Sequence, residues 1–569
     1  MLTDLENLRE SVGTLATMYH PWVRNLSRQD RLIVYLGADG SPNSVALVAA
    51  DDAKQLVTIA KDNHNAFPAF RTRGRSLRHI QSFCAELRDI FHHGPMARLL
   101  AAIALIADDE KWFAAFDKLV LKADIPTDKK DIDMIAFDLM DESVLQPGMR
   151  PVLSEALFEY ERGHETSDAK MPNPNLPILG LSYLMSKNID IPSFERYGLA
   201  GHDAFPLDRQ RARQIAASLE WITSASRKGK TWRGVPGATK DSKDLMIVYV
   251  SSAPDVSTAL ADFFGDVEEP KKREEQESFY AALCESVVAF FSRHSGPSAR
   301  SEFLELLLLR KISPGVTRIE SHLQPSIEQV KRSISEWRAA LANTPPSAFK
   351  TRFLVPGQLV RTLQRQWIRS GEDFADARFD LKAVYDMLFQ TATCAAHAAA
   401  TLETAHQRGR ALLLSGKKIQ PAADYFTILG LALYYRGHRK EKYMESTAYK
   451  FGEFLAMADL IHKCYCQEVR GGSLPPNLIG NAHFDIASSS PAGALALMQS
   501  RLKLYTGWAQ TRGGGLAKWS LKRIGEISGA IAGQLPTKFS TDEKAQLLLG
   551  YLARTSGEAA KQLPEEEHA

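Results

Sequence analysis

The residues with the clearest chemical potential lie between Ile486 and Gly525, where the chain carries six basic residues and no Asp or Glu. These six cations are Arg501, Lys503, Arg512, Lys518, Lys522 and Arg523. The whole chain is nearly neutral, with 70 Lys and Arg against 67 Asp and Glu. Positive charge that is segregated in this way creates a local field that attracts a polyanion. The segment therefore predicts a polyanion-binding surface.

A second basic group lies nearer the N-terminus, in a stretch that combines Arg, Asn and Phe. Its candidate binding residues are Lys61, Asn63, Asn65, Arg71, Arg73 and Arg75. Arginines contact phosphates, and Arg and Asn side chains also read base edges. Ser41 and Asn43 lie on the turn of a neighbouring hairpin, and polar side chains suit the degenerate pattern of the minor groove. We expect this region to contact duplex DNA.

A third basic group contains Arg361, Arg365 and Arg369, which are spaced four residues apart in an acid-free stretch. On a helix, this spacing would place the three side chains in one cationic stripe, where they repel each other unless an anion lies against them. The alternative is a solvated face that pairs with acids elsewhere in the chain. Several basic groups in a nearly neutral chain predict an extended path for nucleic acid.

Patterns that resemble reactive sites are weak in this sequence. His462, Cys464 and Cys466 are close together, but their spacing on a helix does not converge on one metal ion. Gly229–Thr231 lacks the preceding glycine of a P-loop. Gly513–Gly515 has two interpretations, a phosphate cradle at a helix start or a flexible joint between helices. No catalytic serine or paired carboxylate signature is visible, so we expect neither hydrolytic activity nor a cofactor.

The elements that must position these residues indicate an α+β protein. RLIVYL and SVALV flank a turn-rich segment and predict a hairpin over residues 31–48. A strand is expected at Leu245–Val250, and a strand pair is expected within residues 303–323. Helical patterns dominate after Phe379 and predict a C-terminal all-α bundle. The predicted regions are a mixed α/β region at 1–265, a middle α+β region at 276–378, and the bundle at 379–569.

Bulk composition agrees with a multidomain globular chain. The 569 residues are too many for one core, and the five cysteines are scattered and odd in number. This cysteine usage predicts a reducing cytoplasm. The N-terminus shows no secretory pattern, and the longest apolar run, LLAAIALIA, is too short to cross a bilayer. We expect a cytoplasmic protein without membrane contact.

Three C-terminal stretches carry a recognisable pattern: TAYKFGEFLAMADLIHK, FDIASSSPAGALALMQSRLKLYTGW and LPTKFSTDEKAQLLLGYL. Together they resemble the large subunit of the type I-C CRISPR effector complex. In that family a Tyr-x-x-Gly-x-x-x-Ala helix precedes a Ser-rich Pro-Ala turn, here Ala487–Ala492, and a terminal helix carries a Gly-Tyr pair, here Gly550-Tyr551. The family continues with Tyr-His-Gln-Arg, whereas this chain has Leu552-Ala553-Arg554. The convincing part covers roughly residues 445–555.

The resemblance implies a non-catalytic subunit of an RNA-guided surveillance complex. Such a subunit recognises the short PAM in duplex DNA, contacts the 5′ handle of the guide RNA, and supports the displaced strand. Its partners are guide RNA, target double-stranded DNA, the handle-capping, backbone and small subunits, and a recruited nuclease-helicase. Guide pairing carries the sequence information in such complexes, so the protein needs only a small reader and charged channels.

In that setting, Arg501, Lys503, Lys518, Lys522 and Arg523 are expected to form a track for displaced single-stranded DNA. Trp508 would either offer a stacking surface or be buried. Two other classes remain open from the residues alone. One is a nucleic-acid-processing enzyme or helicase accessory with an unrecognised active site, and the other is a helical scaffold that binds only protein.

Overall fold

Strands and helices are interspersed in the first part of the chain, whereas the described residues after Phe379 form helices only. The computed structural model thus has the predicted α+β class with a C-terminal helical bundle. It describes all residues except 1, 14, 21, 28, 62–64, 72–75, 124, 126–133, 165–208, 238–242, 268–272, 294–301, 314–315, 348–352, 369–370, 375–379, 415–421 and 556–569. Among the helices of the described part, none has the length and apolarity that crossing a membrane requires.

The chain divides into two compact units. Unit 1 comprises Met1–Trp221 and Ser313–Thr317, and unit 2 comprises Ile222–Ile312 and Arg318–Ala569. The boundary near Trp221 falls inside the predicted region 1–265, and the predicted regions 276–378 and 379–569 both lie mainly in unit 2. The division into those three regions stays a prediction.

Unit 1 contains seven strands and seven helices among its described residues. The strands are β1 Val23–Asn25, β2 Arg31–Leu36, β3 Pro42–Val48, β4 Val57–Ala60, β5 Ala66–Phe67, β6 Ala69–Arg71 and β7 Met134–Asp138. The helices are α1 Leu2–Val12, α2 Ala50–Ala53, α3 Arg78–Arg88, α4 Gly94–Ala104, α5 Asp109–Lys122, α6 Met149–His164 and α7 Arg209–Ile222. One sheet has the order β1-β4-β5, and the other has the order β3-β2-β7-β6, in which β2 and β7 run parallel.

The predicted hairpin is confirmed, because β2 and β3 pair antiparallel with Leu32 opposite Leu47 and Val34 opposite Val45. Its turn is held against the helices of unit 1. Gly40 has a φ of 79°, and a Cβ at this position would lie 2.3 Å from the Ala102 carbonyl oxygen of α4. The indole N–H of Trp112 donates to the Gly40 carbonyl oxygen at 3.0 Å. Only glycine satisfies both the backbone angle and the close approach.

Unit 2 contains the remaining strands and helices, except that the strand residues Ser313, Val316 and Thr317 belong to unit 1. Its strands are β8 Trp232–Pro236, β9 Lys243–Val250, β10 Leu304–Ser313, β11 Val316–Leu323, β12 Arg365–Ile368 and β13 Gly371–Phe374. Its helices before the bundle are α8 Leu260–Phe264, α9 Arg273–Arg293, α10 Ile327–Leu341 and α11 Pro356–Gln364. The later helices are α12 Leu381–Leu388, α13 Cys394–Leu414, α14 Ala422–Tyr435, α15 Lys440–Tyr443, α16 Thr447–Val469, α17 Ile479–Ser489, α18 Pro491–Thr511, α19 Gly515–Ile531 and α20 Thr541–Thr555.

A four-stranded sheet of order β11-β10-β9-β8 and a two-stranded sheet of β12 and β13 form the β part of unit 2. The predicted strand at Leu245–Val250 is confirmed within β9, whose residues from Asp244 onward are buried. The predicted strand pair is confirmed as β10 and β11, which are neighbours in the sheet. A continuous buried run such as LMIVYV is typical of a strand covered on both faces.

Helix α16 is the centre of the C-terminal bundle, and it contacts α17, α18, α19 and α20. Two glycines allow α16 and α20 to touch at their backbones. A Cβ at Gly452 would lie 2.0 Å from the Leu547 carbonyl oxygen, and one at Gly550 would lie 2.1 Å from the Tyr449 carbonyl oxygen. Side chains at these two positions would therefore force the helices apart.

Candidate nucleic-acid interface

The acid-free segment folds into α18 and α19, consecutive helices of the bundle. Helix α18 begins at Pro491 and buries Leu495, Met498 and Leu502. These side chains recur at helical spacing, so the charged residues between them point away from the core. The exposed cations on the two helices are Arg501, Lys503, Lys518 and Lys522, which we call the C-terminal basic surface.

No side chain among the described residues forms an ion pair with any of these four cations. Arg523 is different, because its guanidinium lies 2.7 Å from the Glu526 carboxylate on the same helix. Exposed pairs of this kind contribute about 1 kcal/mol or less, so a polyanion can displace Glu526. At Arg501, Lys503, Lys518 and Lys522, the segregation seen in the sequence therefore persists in the fold as positive charge that no described residue neutralises.

The outward face of α19 combines two of these lysines with glycines. Gly515, Lys518, Lys522, Gly525 and Gly529 follow one another three or four residues apart, and all five are exposed. A Cβ added at any of the three glycines would meet no atom within 4 Å. Glycine in a helix costs about 0.5–1 kcal/mol relative to Ala. Packing among the described residues does not require these glycines, and they leave the helix backbone open to a close approach.

The glycines between the helices form a packed joint. A Cβ at Gly513 would lie 2.8 Å from the Ala509 Cα atom, so this glycine allows the tight turn. Gly514 precedes the first residue of α19, and a Cβ there would lie 3.2 Å from the Glu468 Oε1 atom. A carboxylate beside this helix start opposes a phosphate at the same place. The arrangement favours the joint over the phosphate cradle.

Trp508 packs within the bundle. Its ring is half-buried and lies edge-on to Tyr465, with ring centroids 5.3 Å apart. Tyr505 makes a similar edge contact with Tyr465 at 5.1 Å. The geometry favours the buried interpretation of Trp508 over a stacking platform for bases.

The predicted helical stripe of Arg361, Arg365 and Arg369 is wrong. Helix α11 ends at Gln364, and Arg365 begins β12, which pairs antiparallel with β13. Arg361 and Arg365 therefore do not lie on one face of a helix, despite their four-residue spacing. Arg361 forms an ion pair with Asp266, which agrees with the alternative of a face paired with acids. Arg365 is half-buried, and Arg369 lies outside the described residues.

The candidate residues of the N-terminal basic group lie in different environments. The Lys61 ammonium group lies 2.6 Å from the Glu86 carboxylate and 5.2 Å from the centre of the Trp22 ring. Asn65 is half-buried, and its backbone carbonyl oxygen accepts a hydrogen bond from the Lys61 backbone N–H. Arg71 is exposed on β6. The remaining candidates of this group, Asn63, Arg73 and Arg75, lie outside the described residues.

The hairpin turn carries a carboxylate, Asp39, beside the predicted groove contact Ser41. The Ser41 hydroxyl donates to Asp39 Oδ1 at 2.7 Å, and the Ser41 N–H donates to the same oxygen at 3.0 Å. These hydrogen bonds lower the pKa of Asp39, so the tip is anionic at neutral pH. Asn43 is exposed and better placed for an external partner. Its role as a groove contact stays a prediction.

Sequence reasoning missed a basic cavity in unit 1. Arg24 on β1, Arg31 on β2 and Arg71 on β6 line it together with His79 on α3. Only Arg71 was a candidate, because the other residues come from separate elements and show no local pattern. A search of the sequence for clustered charge does not find such a site, since strand pairing creates the cluster.

Within the described residues, no group of three or more His, Cys, Asp or Glu side chains could hold a metal ion. Cys464 and Cys466 are buried in the bundle, and the His462 Nδ1 atom accepts a hydrogen bond from the Ile479 N–H at 3.2 Å. No protein-family model matches the chain, and no curated protein matches it either. The likeness of the C-terminal motifs to the type I-C large subunit therefore rests on those motifs alone.

Proposed function

We propose that the chain is the non-catalytic large subunit of an RNA-guided CRISPR surveillance complex. In this role it recognises the PAM in duplex DNA, helps to unwind the duplex, and supports the displaced strand during R-loop formation. The observation that carries the proposal is the C-terminal basic surface. Its four exposed cations have no ion-pair partner among the described residues, although the chain as a whole is nearly neutral.

The chemistry of this surface suits a phosphate backbone. Lysine ammonium groups act as point charges and impose little geometry on the phosphates they contact. The glycines beside Lys518 and Lys522 allow a strand to approach α19 closely. Binding of this kind is independent of base sequence, which suits a strand whose sequence varies from target to target.

Further support comes from the motif residues behind the family resemblance. Gly452 and Gly550 lie at the crossing of α16 and α20, and the Tyr551 hydroxyl donates to the buried Asp459. The chain departs from the family pattern at Leu552-Ala553-Arg554. There Leu552 and Ala553 are buried, and Arg554 donates to Glu453 at 2.8 Å. The departure is therefore accommodated by contacts inside the bundle.

The other parts of the proposal concern partners. The N-terminal residues contact the PAM and the 5′ handle, other subunits surround the guide RNA, and a recruited nuclease-helicase cleaves the DNA. The complex works in the cytoplasm and needs no membrane. The chain itself supplies binding and positioning, without a catalytic step.

Recovery of the guide RNA tests this function directly. The tagged chain is purified from its own host under mild conditions, and the RNA that accompanies it is sequenced. The proposal predicts RNA of one defined length, with a constant 5′ segment followed by variable sequence. Heterogeneous cellular RNA, or none, contradicts the proposal.

The absence of hydrolysis is a separate expectation. The purified chain is incubated with DNA and RNA in Mg²⁺ or Mn²⁺, and the products are separated on a denaturing gel. We expect intact substrates in every fraction. Cleavage that co-elutes with the chain through two chromatographic steps would instead favour the alternative of a nucleic-acid-processing enzyme.

A further inference from the structure

A cavity of about 530 Å³ lies beside the two sheets of unit 1. Thr58 on β4 and Arg24 on β1 line it from one sheet, and Arg31 and Arg71 line it from the other. Among the described residues that line it, none is Asp or Glu. Its volume falls in the range of small-molecule sites, which runs from about 300 to 1,000 Å³. The cavity therefore has both the size and the charge of an anion site.

Arg31 provides the main evidence for a bound anion, because its guanidinium is buried without a carboxylate partner among the described residues. It is only 3% exposed, and its Nη2 atom donates to the Ser27 hydroxyl at 2.8 Å. Its Nε atom is buried without any hydrogen-bond partner. No carboxylate among the described residues pairs with this guanidinium. Burial of a cation without a carboxylate partner is costly, so the described residues leave this guanidinium in need of an anion.

Neighbouring groups provide further hydrogen-bonding capacity. The Thr58 hydroxyl oxygen is buried without a partner, and Thr58 itself is 5% exposed. Burial also lowers the pKa of Arg24 and Arg31, yet guanidinium groups remain protonated at neutral pH because their ordinary pKa lies far above it. Fixed cations and a free hydroxyl form the kind of donor set that binds phosphate oxygens.

The remaining walls indicate an organic group attached to the anion. Phe70, Met134 and Leu26 contribute apolar surface to the same cavity. A bare phosphate would leave most of a cavity of this size unfilled. A nucleotide has both a phosphate for the arginines and a nucleoside for the apolar walls.

We propose that this cavity binds the phosphate of a nucleotide, with Arg31 as its buried anchor and Arg71 at its exposed rim. The site lies in unit 1 and depends on none of the residues of the C-terminal basic surface. It therefore goes beyond the proposed support of a displaced strand, and either idea can fail without the other.

Calorimetry with the full-length chain tests the proposal, with AMP, adenosine and inorganic phosphate as ligands. We expect AMP to bind, phosphate to bind more weakly, and adenosine to show no binding. A 5′-phosphorylated dinucleotide that binds at least as tightly as AMP identifies an oligonucleotide end as the ligand, and weaker binding identifies a free mononucleotide. No AMP binding, or phosphate binding as tight as that of AMP, overturns the proposal.

Variants locate the binding in the cavity. Arg31→Met and Arg71→Gln should each weaken AMP binding by at least about tenfold, because each removes a charge-assisted hydrogen bond. The control is Arg98→Met, since Arg98 is exposed in the same unit and paired with Asp141 and Glu142. Lys518→Ala with Lys522→Ala should also leave AMP binding unchanged. Unchanged binding in both cavity variants contradicts the assignment.

The stability of the unliganded variant separates a binding role from a structural one. Replacing an uncompensated buried cation by an apolar side chain of similar length should keep or raise the Tm. We therefore expect Arg31→Met to melt no lower than the parent protein without ligand, and to lose the rise in Tm that AMP gives the parent. If Arg31→Met melts at a lower temperature than the parent protein, AMP binding by the Arg71→Gln variant decides the outcome. That change alters only an exposed side chain.

Discussion

Asp459 joins three helices of the bundle through one carboxylate. Its oxygens accept hydrogen bonds from the Gly480 N–H at 2.5 Å, from the Asn481 N–H at 3.1 Å, and from the Tyr551 hydroxyl at 2.5 Å. The side chain is almost fully buried. Burial raises the pKa of Asp459 from its ordinary 3.8 to about 6, although the three donors oppose this shift.

This raised pKa predicts a pH-dependent stability with a definite sign. Between pH 3.8 and about 6 the unfolded chain loses a proton that the folded chain keeps. The free energy of unfolding should therefore fall by on the order of 2–3 kcal/mol as the pH rises through this window. Asp459→Asn does not titrate, so urea denaturation of both proteins at several pH values isolates the contribution. A difference between them that stays constant with pH contradicts the prediction.

Single residues also show where sequence reasoning succeeds. Ser540 and Glu543 follow the Ser-x-x-Glu pattern of a capping box and form one, with the Ser540 N–H 2.8 Å from Glu543 Oε2 and the Glu543 N–H 3.3 Å from Ser540 Oγ. This motif is local, so four residues specify it. The hydrogen bond from Tyr551 to Asp459 joins residues that are far apart in the chain, and no local pattern indicates it.

At the scale of elements, the two classes of helical glycine should respond oppositely to Ala. Gly550→Ala places a Cβ 2.1 Å from the Tyr449 carbonyl oxygen and should destabilise the fold by about 1–3 kcal/mol. Gly525→Ala meets no neighbour and should stabilise the fold by about 0.5–1 kcal/mol. Thermal and chemical denaturation of the two variants provide the comparison. Equal effects would show that the α16–α20 crossing relaxes freely.

Long helices and strands with a regular hydrophobic period could be predicted from the sequence, whereas short or interrupted ones could not. Strands β5 and β6 have two and three residues, too few to show a period. Strand β8 contains Gly234 and Pro236, which resemble turn residues, but its place at the edge of the sheet tolerates them. The helix-favouring run from Asp380 to Leu414 is divided at Gln390, whose φ is 52°.

The error at Arg361–Arg369 has a similar cause. Spacing by four residues describes a helix only if the helix continues, and α11 ends at Gln364. The pairing of β12 with β13 supplies backbone hydrogen bonds that replace those of a longer helix. A local pattern alone does not reveal that competition between pairing and helix continuation.

At the scale of the whole molecule, charge segregation was visible in the sequence and the cavity was not. The basic residues of the C-terminal surface lie in one short stretch of the chain, on two successive helices. The residues of the cavity, such as Arg24 and Arg71, are brought together by two sheets of unit 1. A surface formed by residues that are close in the sequence can be predicted from sequence patterns. A cavity formed by residues from several strands becomes visible only in the folded chain.

We propose that the C-terminal basic surface binds the backbone of single-stranded nucleic acid. Phosphate contacts release counterions, so the logarithm of the binding constant falls linearly with the logarithm of salt concentration. On single strands each contact contributes about 0.7 to that slope. The change Lys518→Ala with Lys522→Ala should therefore flatten the slope by about 1.4 if both lysines contact phosphates.

The decisive measurement is the binding of the full-length chain to a single-stranded oligonucleotide from about 50 to about 200 mM salt. The matched control is Lys118→Ala with Lys122→Ala, two exposed lysines with the same spacing on α5. We expect the Lys518 and Lys522 variant to bind every base sequence more weakly and with a flatter salt slope than the parent protein. The control variant should show the slope and affinity of the parent. A slope that both variants share with the parent protein would contradict the claim that this surface carries the strand.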